Sequence, residues 1–411
     1  MANCIVAQSG GPSSVINATL AGIVKANQLN PIYDHVYGGL NGIEGILSER
    51  FVDLTKMTEH ENQVLRQTPS SALGSCRYKL QRDHKADFEK IFEVMEKYDA
   101  VTMFYIGGND SMDTVAALSE YAKKHGISNR RFIGCPKTID NDLMGTDHAP
   151  GFGSAAKFIA TTLWQCWQDI NVYPDSRKEV FIMETMGRDA GWLAASACLS
   201  GVVDVLVMPE PVFDKEEVLA RIDACVKEKS KCFVVISEGA HYADGTYIAA
   251  ADIGNDLFGH AVLGGAGRAL EKMILDSGVC SRCKVMNLST SQRSHATEQS
   301  LTDVTESFRL GLSAHMHSSD PSFTGKMIAL RRRTDVEEYD VEYFALEADS
   351  VANFVRNFPM EWLLDDYRGI TQEAIDYMKP LIQGSPQILM KDGLPEHTVP
   401  YYMGNQEIEK K

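Results

Sequence analysis

Short apolar runs alternate with helical patterns over roughly three hundred residues of this 411-residue chain, and no other feature narrows its possible folds so far. Runs at 3–8, 100–106, 131–135, 180–184, 203–208, 232–237 and 284–288 have the length and apolar content of buried strands. Helical patterns fill the intervals at 15–29, 87–97, 111–125, 153–168, 215–227 and 257–276. Repeated strand-helix alternation predicts an α/β fold of doubly wound, mainly parallel sheet, and the length suits about two or three domains. The alternation fits one such sheet or two.

Composition removes several classes. Hydrophobic residues make up 44% and charged residues 23% of the chain, the balance of a globular protein with a sizeable core. A formal charge of −16 opposes a nucleic-acid partner, which would need a basic face to neutralise phosphates. Any anionic ligand must be drawn by a local cluster of Arg and Lys. The N-terminal residues Met1-Ala2-Asn3-Cys4-Ile5-Val6 read as a first strand, with none of the basic and apolar regions of a secretory signal. No stretch reaches the roughly twenty apolar residues of a membrane helix. A cytoplasmic protein without a membrane partner is therefore expected. The nine cysteines, an odd number scattered among strands and helices, read as free thiols of a reducing compartment. Cys280-Ser281-Arg282-Cys283 is a lone CxxC without the second pair of a zinc ribbon, and it reads as ordinary thiols. From about residue 328 the chain changes character: Arg331-Arg332-Arg333 precedes an acidic stretch at 335–342, and the triplet reads as a solvated surface or packing edge.

Ligands of doubly wound sheets sit beyond the carboxyl ends of the strands, and the unusual residues of this chain fall there. They are Ser9-Gly10-Gly11, Gly107-Gly108-Asn109-Asp110-Ser111, the run Pro136-Lys137-Thr138-Ile139-Asp140-Asn141-Asp142, Met186-Gly187-Arg188 and Glu238-Gly239. Each glycine pair can be an anion cradle at a helix N-terminus or simply a tight turn, and Ser111 can be the cap of the next helix. The run ending at Asp142 is harder to explain as structure, because two carboxylates at i and i+2 repel one another in a short loop. One carboxylate could take a proton from an attacking hydroxyl while the other orients a metal or cation. With Lys137 alongside, the set suits movement of a phosphoryl group. Arg188 could instead be a surface ion-pair partner, and Glu238 a strand-end cap.

These residues carry a resemblance to the phosphofructokinase family, in particular its pyrophosphate-dependent branch. The likeness runs in order through nearly the whole chain: SGG at Ser9, GSCR at Gly74, GGNDS at Gly107, PKTIDND at Pro136, MGRDAGWLA at Met186, MPE at Met208, ISEG at Ile236 and QRS at Gln292. The resemblance implies an α/β fold of two doubly wound, mainly parallel sheet domains with an additional C-terminal segment: a donor domain at 1–152, a sugar-phosphate domain at 153–292 and segments at 293–411 that return over both. It implies that Asp140 is the general base toward a fructose 1-hydroxyl, that Asp142 shapes the charge and metal environment, and that Thr138 contacts the sugar or the migrating group. Met186, Gly187, Arg188 and Glu238 match sugar-binding positions, with Arg188 also placed to steady the transition state. Arg293 matches a 6-phosphate ligand and Lys284 a position that is commonly cationic, while Gly10 and Arg77 match donor contacts.

Donor choice rests on two positions. ATP-using relatives usually carry GGDGS and PGTIDND, where this chain has Asp110 and Lys137 in place of small residues. A carboxylate at the first position would repel an α-phosphate, and lysine at the second suits free inorganic diphosphate. The resemblance thus implies reversible, Mg²⁺-dependent transfer from diphosphate to fructose 6-phosphate by a homodimer or homotetramer. The alternatives are an ATP-dependent member and a catalytically silent, regulatory sugar-phosphate-binding subunit. Three departures stand out. Asn109 replaces a metal-binding Asp, which leaves magnesium to Asp110, diphosphate and water. Thr290 replaces a His of the bacterial ATP branch. Where the family places an arginine reaching a neighbouring subunit, the nearest candidates are Arg177 and Lys178.

Overall fold

The structure, a computed structural model, describes residues 2–248, 264–401 and 408. Its main strands are β1 (Asn3–Gln8), β2 (Val36–Gly39), β3 (Phe51–Asp53), β4 (Ala100–Gly107), β5 (Arg131–Pro136), β6 (Glu179–Thr185), β7 (Val205–Val207), β8 (Lys231–Ser237), β9 (Cys283–Asn287), β10 (Lys326–Arg332) and β11 (Val341–Glu347). The helices are α1 (Ile16–Leu29), α2 (Gly42–Leu47), α3 (Glu59–Gln67), α4 (Lys85–Lys97), α5 (Asn109–Lys124), α6 (Phe152–Asn171), α7 (Trp192–Ser196), α8 (Lys215–Lys229), α9 (Ala266–Ser277), α10 (Leu301–His317) and α11 (Gln372–Met378).

Two sheets result. The first has seven strands in the order β11-β10-β5-β4-β1-β2-β3, parallel from β10 to β2, with antiparallel strands at both edges. The second has four strands in the order β7-β8-β6-β9 and is parallel throughout. Every residue of β1, β6 and β8 is buried. That is why their sequences read as unbroken apolar runs: helices cover both faces of a parallel sheet, so no face alternates toward water. Each Val or Ile so enclosed contributes about 1.5–3 kcal/mol.

The path of the chain ties the sheets together. After β5 it crosses by α6 into the second sheet, then returns by α10 to complete the first with β10 and β11. The stretch after β11 turns back toward α7, where Trp192 packs edge-on against Phe358 at 4.9 Å. Loops at the carboxyl ends of β1, β4 and β5 thereby share one cleft with those of β6 and β8.

All seven expected strands are present, with 203–208 reduced to Val205–Val207. The helix expected at 257–276 is present from Ala266, and 257–263 lie outside the described residues. Strands β2, β3, β10 and β11 are additions to the sequence reading. The arginine triplet closes β10 as a packing edge: Arg331 meets Glu342 across the hairpin at 3.0 Å, Arg332 meets Asp147 at 3.2 Å, and Arg333 meets Asp335 at 2.8 Å.

Candidate active site

The shared cleft measures about 470 Å³ and is lined from both sheets. On the first-sheet side, β1 delivers Gly10 and Gly11. Gln8 is locked beneath them, donating to Asn17 at 2.8 Å and accepting from the Leu73 N–H at 3.0 Å. Gly10 adopts φ +77°, a left-handed conformation that glycine takes without strain, and the Lys137 ammonium lies 3.5 Å from where its Cβ would be. The next loop is fastened to this one by Ser111, whose Oγ meets that of Ser9 at 3.0 Å. Ser111 is not the helix cap considered above. Helix α5 starts at Asn109 behind an extended Gly108, which puts Ser111 inside the first turn.

The loop after β5 holds the reacting groups. Lys137 is 3% exposed, and its ammonium donates to the Gly11 carbonyl at 2.5 Å, so a buried cation stands between the glycine cradle and the carboxylates. Thr138 Oγ1 accepts from the Asp140 N–H at 3.1 Å and fixes the turn. Asn141 takes φ +54° and is fully buried, which lets Asp140 and Asp142 on either side both line the cleft. The opposite wall comes from the second sheet. Met186, Gly187 at φ +117° and Arg188 follow β6, and Glu238 follows β8. Arg293 follows β9 by way of a short turn whose Gln292 accepts from the Met186 N–H at 3.2 Å.

Electrostatics single out the same groups. Burial pulls the Lys137 ammonium down to about 8, against the attraction of Asp140. Burial raises Asp140, opposed by Lys137, Arg188 and Arg293. Asp142 is pushed up to about 7 by burial and by the Asp140 charge, and Glu238 to about 7 by the same two causes. Arg293 is lowered by burial, and its Nε has no hydrogen-bond partner among the described residues. A cluster of cations facing carboxylates held near neutrality can bind phosphates and move one proton. Perturbed groups converging in a cleft make it the candidate catalytic site.

Among the residues singled out from sequence, Gly10, Arg77, Asp110, Lys137, Thr138, Asp140, Asp142, Met186, Gly187, Arg188, Glu238 and Arg293 all line this cleft. Lys284 does not. It lies at the start of β9, the end away from the cleft, and pairs with buried Glu179 at 3.2 Å. Its distance from Arg293 in sequence is the length of the strand and turn between them. Arg177 pairs with the same Glu179 at 3.0 Å. Thr290 lies outside the cleft lining too. Arg188 does form the ion pair considered for it, with Asp189 at 2.8 Å, while still facing the cleft. Pro12, Lys79, Asn353 and Val355 line the cleft without having been singled out, as does Asp189, named only within its motif. Lys79 follows Arg77 by two residues and Asp189 adjoins Arg188, so both were within reach of the motifs, whereas nothing local marks Asn353 or Val355.

Residues 3–317 match the family model described as Phosphofructokinase. A curated relative from Halomonas elongata, "Pyrophosphate--fructose 6-phosphate 1-phosphotransferase", is 38% identical over 96% of this chain and 95% of its own length. The pyrophosphate-dependent phosphofructokinases of Nitrosospira multiformis and Marinobacter aquaeolei superpose with a TM-score of 0.88 each, at 32% and 34% identity, over 100% of this chain and 98% of theirs. An α/β chain with a cation-lined cleft between two mainly parallel sheets is what the geometry defines. The chain belongs to the phosphofructokinase family.

Proposed function

We propose that this enzyme transfers a phosphoryl group reversibly from inorganic diphosphate to the 1-hydroxyl of fructose 6-phosphate, giving fructose 1,6-bisphosphate and phosphate. The observation that carries the reading is buried Lys137, held between the glycine cradle and Asp140 in a cleft that also contains Asp110. The names of near full-length relatives support the same reaction.

In this reading Asp140 accepts the hydroxyl proton as the sugar oxygen attacks phosphorus, and the bond to the bridging oxygen breaks as phosphate leaves. Phosphoryl transfer asks mainly for positioning and charge neutralisation, which Lys137, Arg188 and Arg77 supply. Arg293 takes the 6-phosphate, an acceptor suited to its unpartnered Nε. Met186, Gly187, Thr138 and Glu238 orient the sugar, and Gly10 meets the donor. Asp142, already near neutrality, adjusts the charge around the base.

The cleft also suits a magnesium ion. Asp110 offers a carboxylate beside the donor cradle, and diphosphate and water would complete an all-oxygen shell. When bound, the metal supplies neutralisation of phosphate charge. The Asn109 side chain is instead engaged on both sides with the backbone of Asn353 and Phe354. Work as a homodimer or homotetramer in the cytoplasm completes the proposal; the unpaired state of all nine cysteines supports a reducing compartment. Among the described residues no helix is long and apolar enough to cross a membrane.

Phosphorus-31 NMR of purified enzyme with magnesium, fructose 6-phosphate and diphosphate tests the reading. Loss of diphosphate should match equal gains of phosphate and of a sugar 1-phosphate resonance, and added phosphate with fructose 1,6-bisphosphate should run the reaction backward. Hydrolysis of diphosphate without a new sugar phosphate would refute it.

A further inference from the structure

Arg356 lies outside every motif and does not line the cleft, yet it is bound to the back of the catalytic loop. Its Nε and Nη2 donate to the Asn141 carbonyl at 3.1 and 2.9 Å, and its Nη1 donates to the Thr146 carbonyl at 2.7 Å and to that of Asp147. Its own N–H donates to the Asp142 carbonyl at 2.8 Å. The guanidinium lies 4.7 Å from the ring centroid of Trp192, whose Nε1 donates to the Arg356 carbonyl at 3.0 Å. One side chain therefore gathers three carbonyls of residues 141–147, one of which belongs to the strained left-handed residue between the two carboxylates.

Three residues earlier the same segment grips the donor loop. The Asn109 side chain donates to the Phe354 carbonyl and accepts from the Asn353 N–H, and Asn353 Nδ2 donates to Asp113 at 3.4 Å. Asn109 and Asp113 are one turn apart on α5, and Asp113 also takes Arg82 at 2.8 Å. Segment 353–356 thus spans from the start of α5, next to Asp110, to the loop of Asp140 and Asp142.

We propose that 353–356 is a positioning strap that holds the phosphoryl-donor loop and the catalytic-base loop in register, with Arg356 as its anchoring residue. The proposal rests on the function given above. Diphosphate sits against the loop of Asp110 and the acceptor hydroxyl against Asp140, so attack in line requires the two loops at one fixed separation. Neither loop bonds Arg356 through a side chain that touches substrate. Loss of the Arg356 anchor, which lies outside the cleft lining, therefore changes the approach of donor to acceptor and leaves the individual binding contacts in place. Charge matters too: the guanidinium satisfies carbonyls that no neutral side chain of that size could satisfy together.

Steady-state kinetics of Arg356→Ala, Arg356→Lys and Asn109→Ala test this, with turnover expressed per folded enzyme from circular dichroism. Wild-type turnover with diphosphate is measured first, and its absence would refute the functional reading as distinct from the strap. Arg356→Ala should lose about 10²-fold in kcat, the scale of a misplacement near 1 Å, with KM for both substrates changed less than about threefold. Added guanidinium ion should restore part of that loss, and Arg356→Lys should recover little. Asn109→Ala breaks the exposed end alone and keeps the assay informative if Arg356→Ala does not fold; its kcat should fall about 3- to 10-fold at unchanged KM. Native kcat per folded enzyme in either alanine variant, or a rise in KM at constant kcat, would overturn the proposal.

Discussion

At the scale of single residues, the chemistry falls to Asp140 and the charge to Lys137. Asp140→Asn should lower kcat by about 10²- to 10⁴-fold, the range for loss of a general base, while fructose 6-phosphate still binds. Isothermal titration beside turnover checks both halves, and near-native turnover would remove Asp140 from the mechanism. Lys137 leads to a pH prediction. Its folded value of about 8 lies below that of a free lysine because burial disfavours the charge, so the cation is lost as pH rises through about 8. Asp140, raised by burial, must lose its proton before it can act. The pH profile of kcat/KM should therefore rise on an acid limb displaced upward from ordinary carboxylates and fall above about 8. Lys137→Arg keeps the charge and should abolish the alkaline limb; an unchanged limb would assign it to another group. Much of this site was legible in sequence because phosphate chemistry needs glycine, lysine and paired carboxylates within a few residues of a strand end. Lys284 was misplaced because spacing alone does not say at which end of a strand a residue lies. Asn353, Val355 and Arg356 carry no signal, since their roles come from long-range contact with loops more than two hundred residues earlier.

At the scale of elements, the catalytic loop is set by a helix pair. Buried Asp303, in the first turn of α10, accepts the N–H groups of Gly151 and Ser154 at 2.9 Å each and so caps α6 from another helix. The Thr138 N–H donates to the neighbouring Pro150 carbonyl at 3.1 Å, which carries the position of α6 into the loop of Asp140. Asp303→Ala leaves two enclosed donors without a partner and should cost ~3 kcal/mol. Asp303→Asn retains one acceptor and should cost about half as much. Urea midpoints of the two variants check the order, and equal midpoints would deny the cap its role. The central strands were legible because burial on both faces leaves unbroken apolar runs. Strand β2 contains two glycines, β3 has three residues, and β11 mixes half-buried and exposed side chains beside charged neighbours, so none of them has that signature.

At the scale of the whole molecule, a chain of net charge −16 concentrates Arg77, Lys137, Arg188 and Arg293 in a cleft between two sheets. This arrangement lets an acidic protein collect anionic substrates from opposite walls. Stability should reflect the same cleft. Asp142 and Glu238 hold their protons up to about 7 when folded, whereas an unfolded chain releases them near 4. The unfolded state then binds fewer protons between those values, so the contribution of these groups to stability falls as pH rises from about 4 to about 7.

The cleft is expected to take diphosphate because Asp110 and Lys137 occupy the places of small residues. That expectation is tested most directly by kcat/KM for diphosphate and for ATP, measured with fructose 6-phosphate and magnesium in wild-type enzyme and in Asp110→Gly. Wild-type enzyme should prefer diphosphate by at least about 10²-fold, on the scale of one preorganised charge. In Asp110→Gly, ATP turnover should become measurable while diphosphate turnover falls but survives. A wild-type preference for ATP, or an Asp110→Gly enzyme that still cannot use ATP and has unchanged diphosphate kinetics, would contradict it.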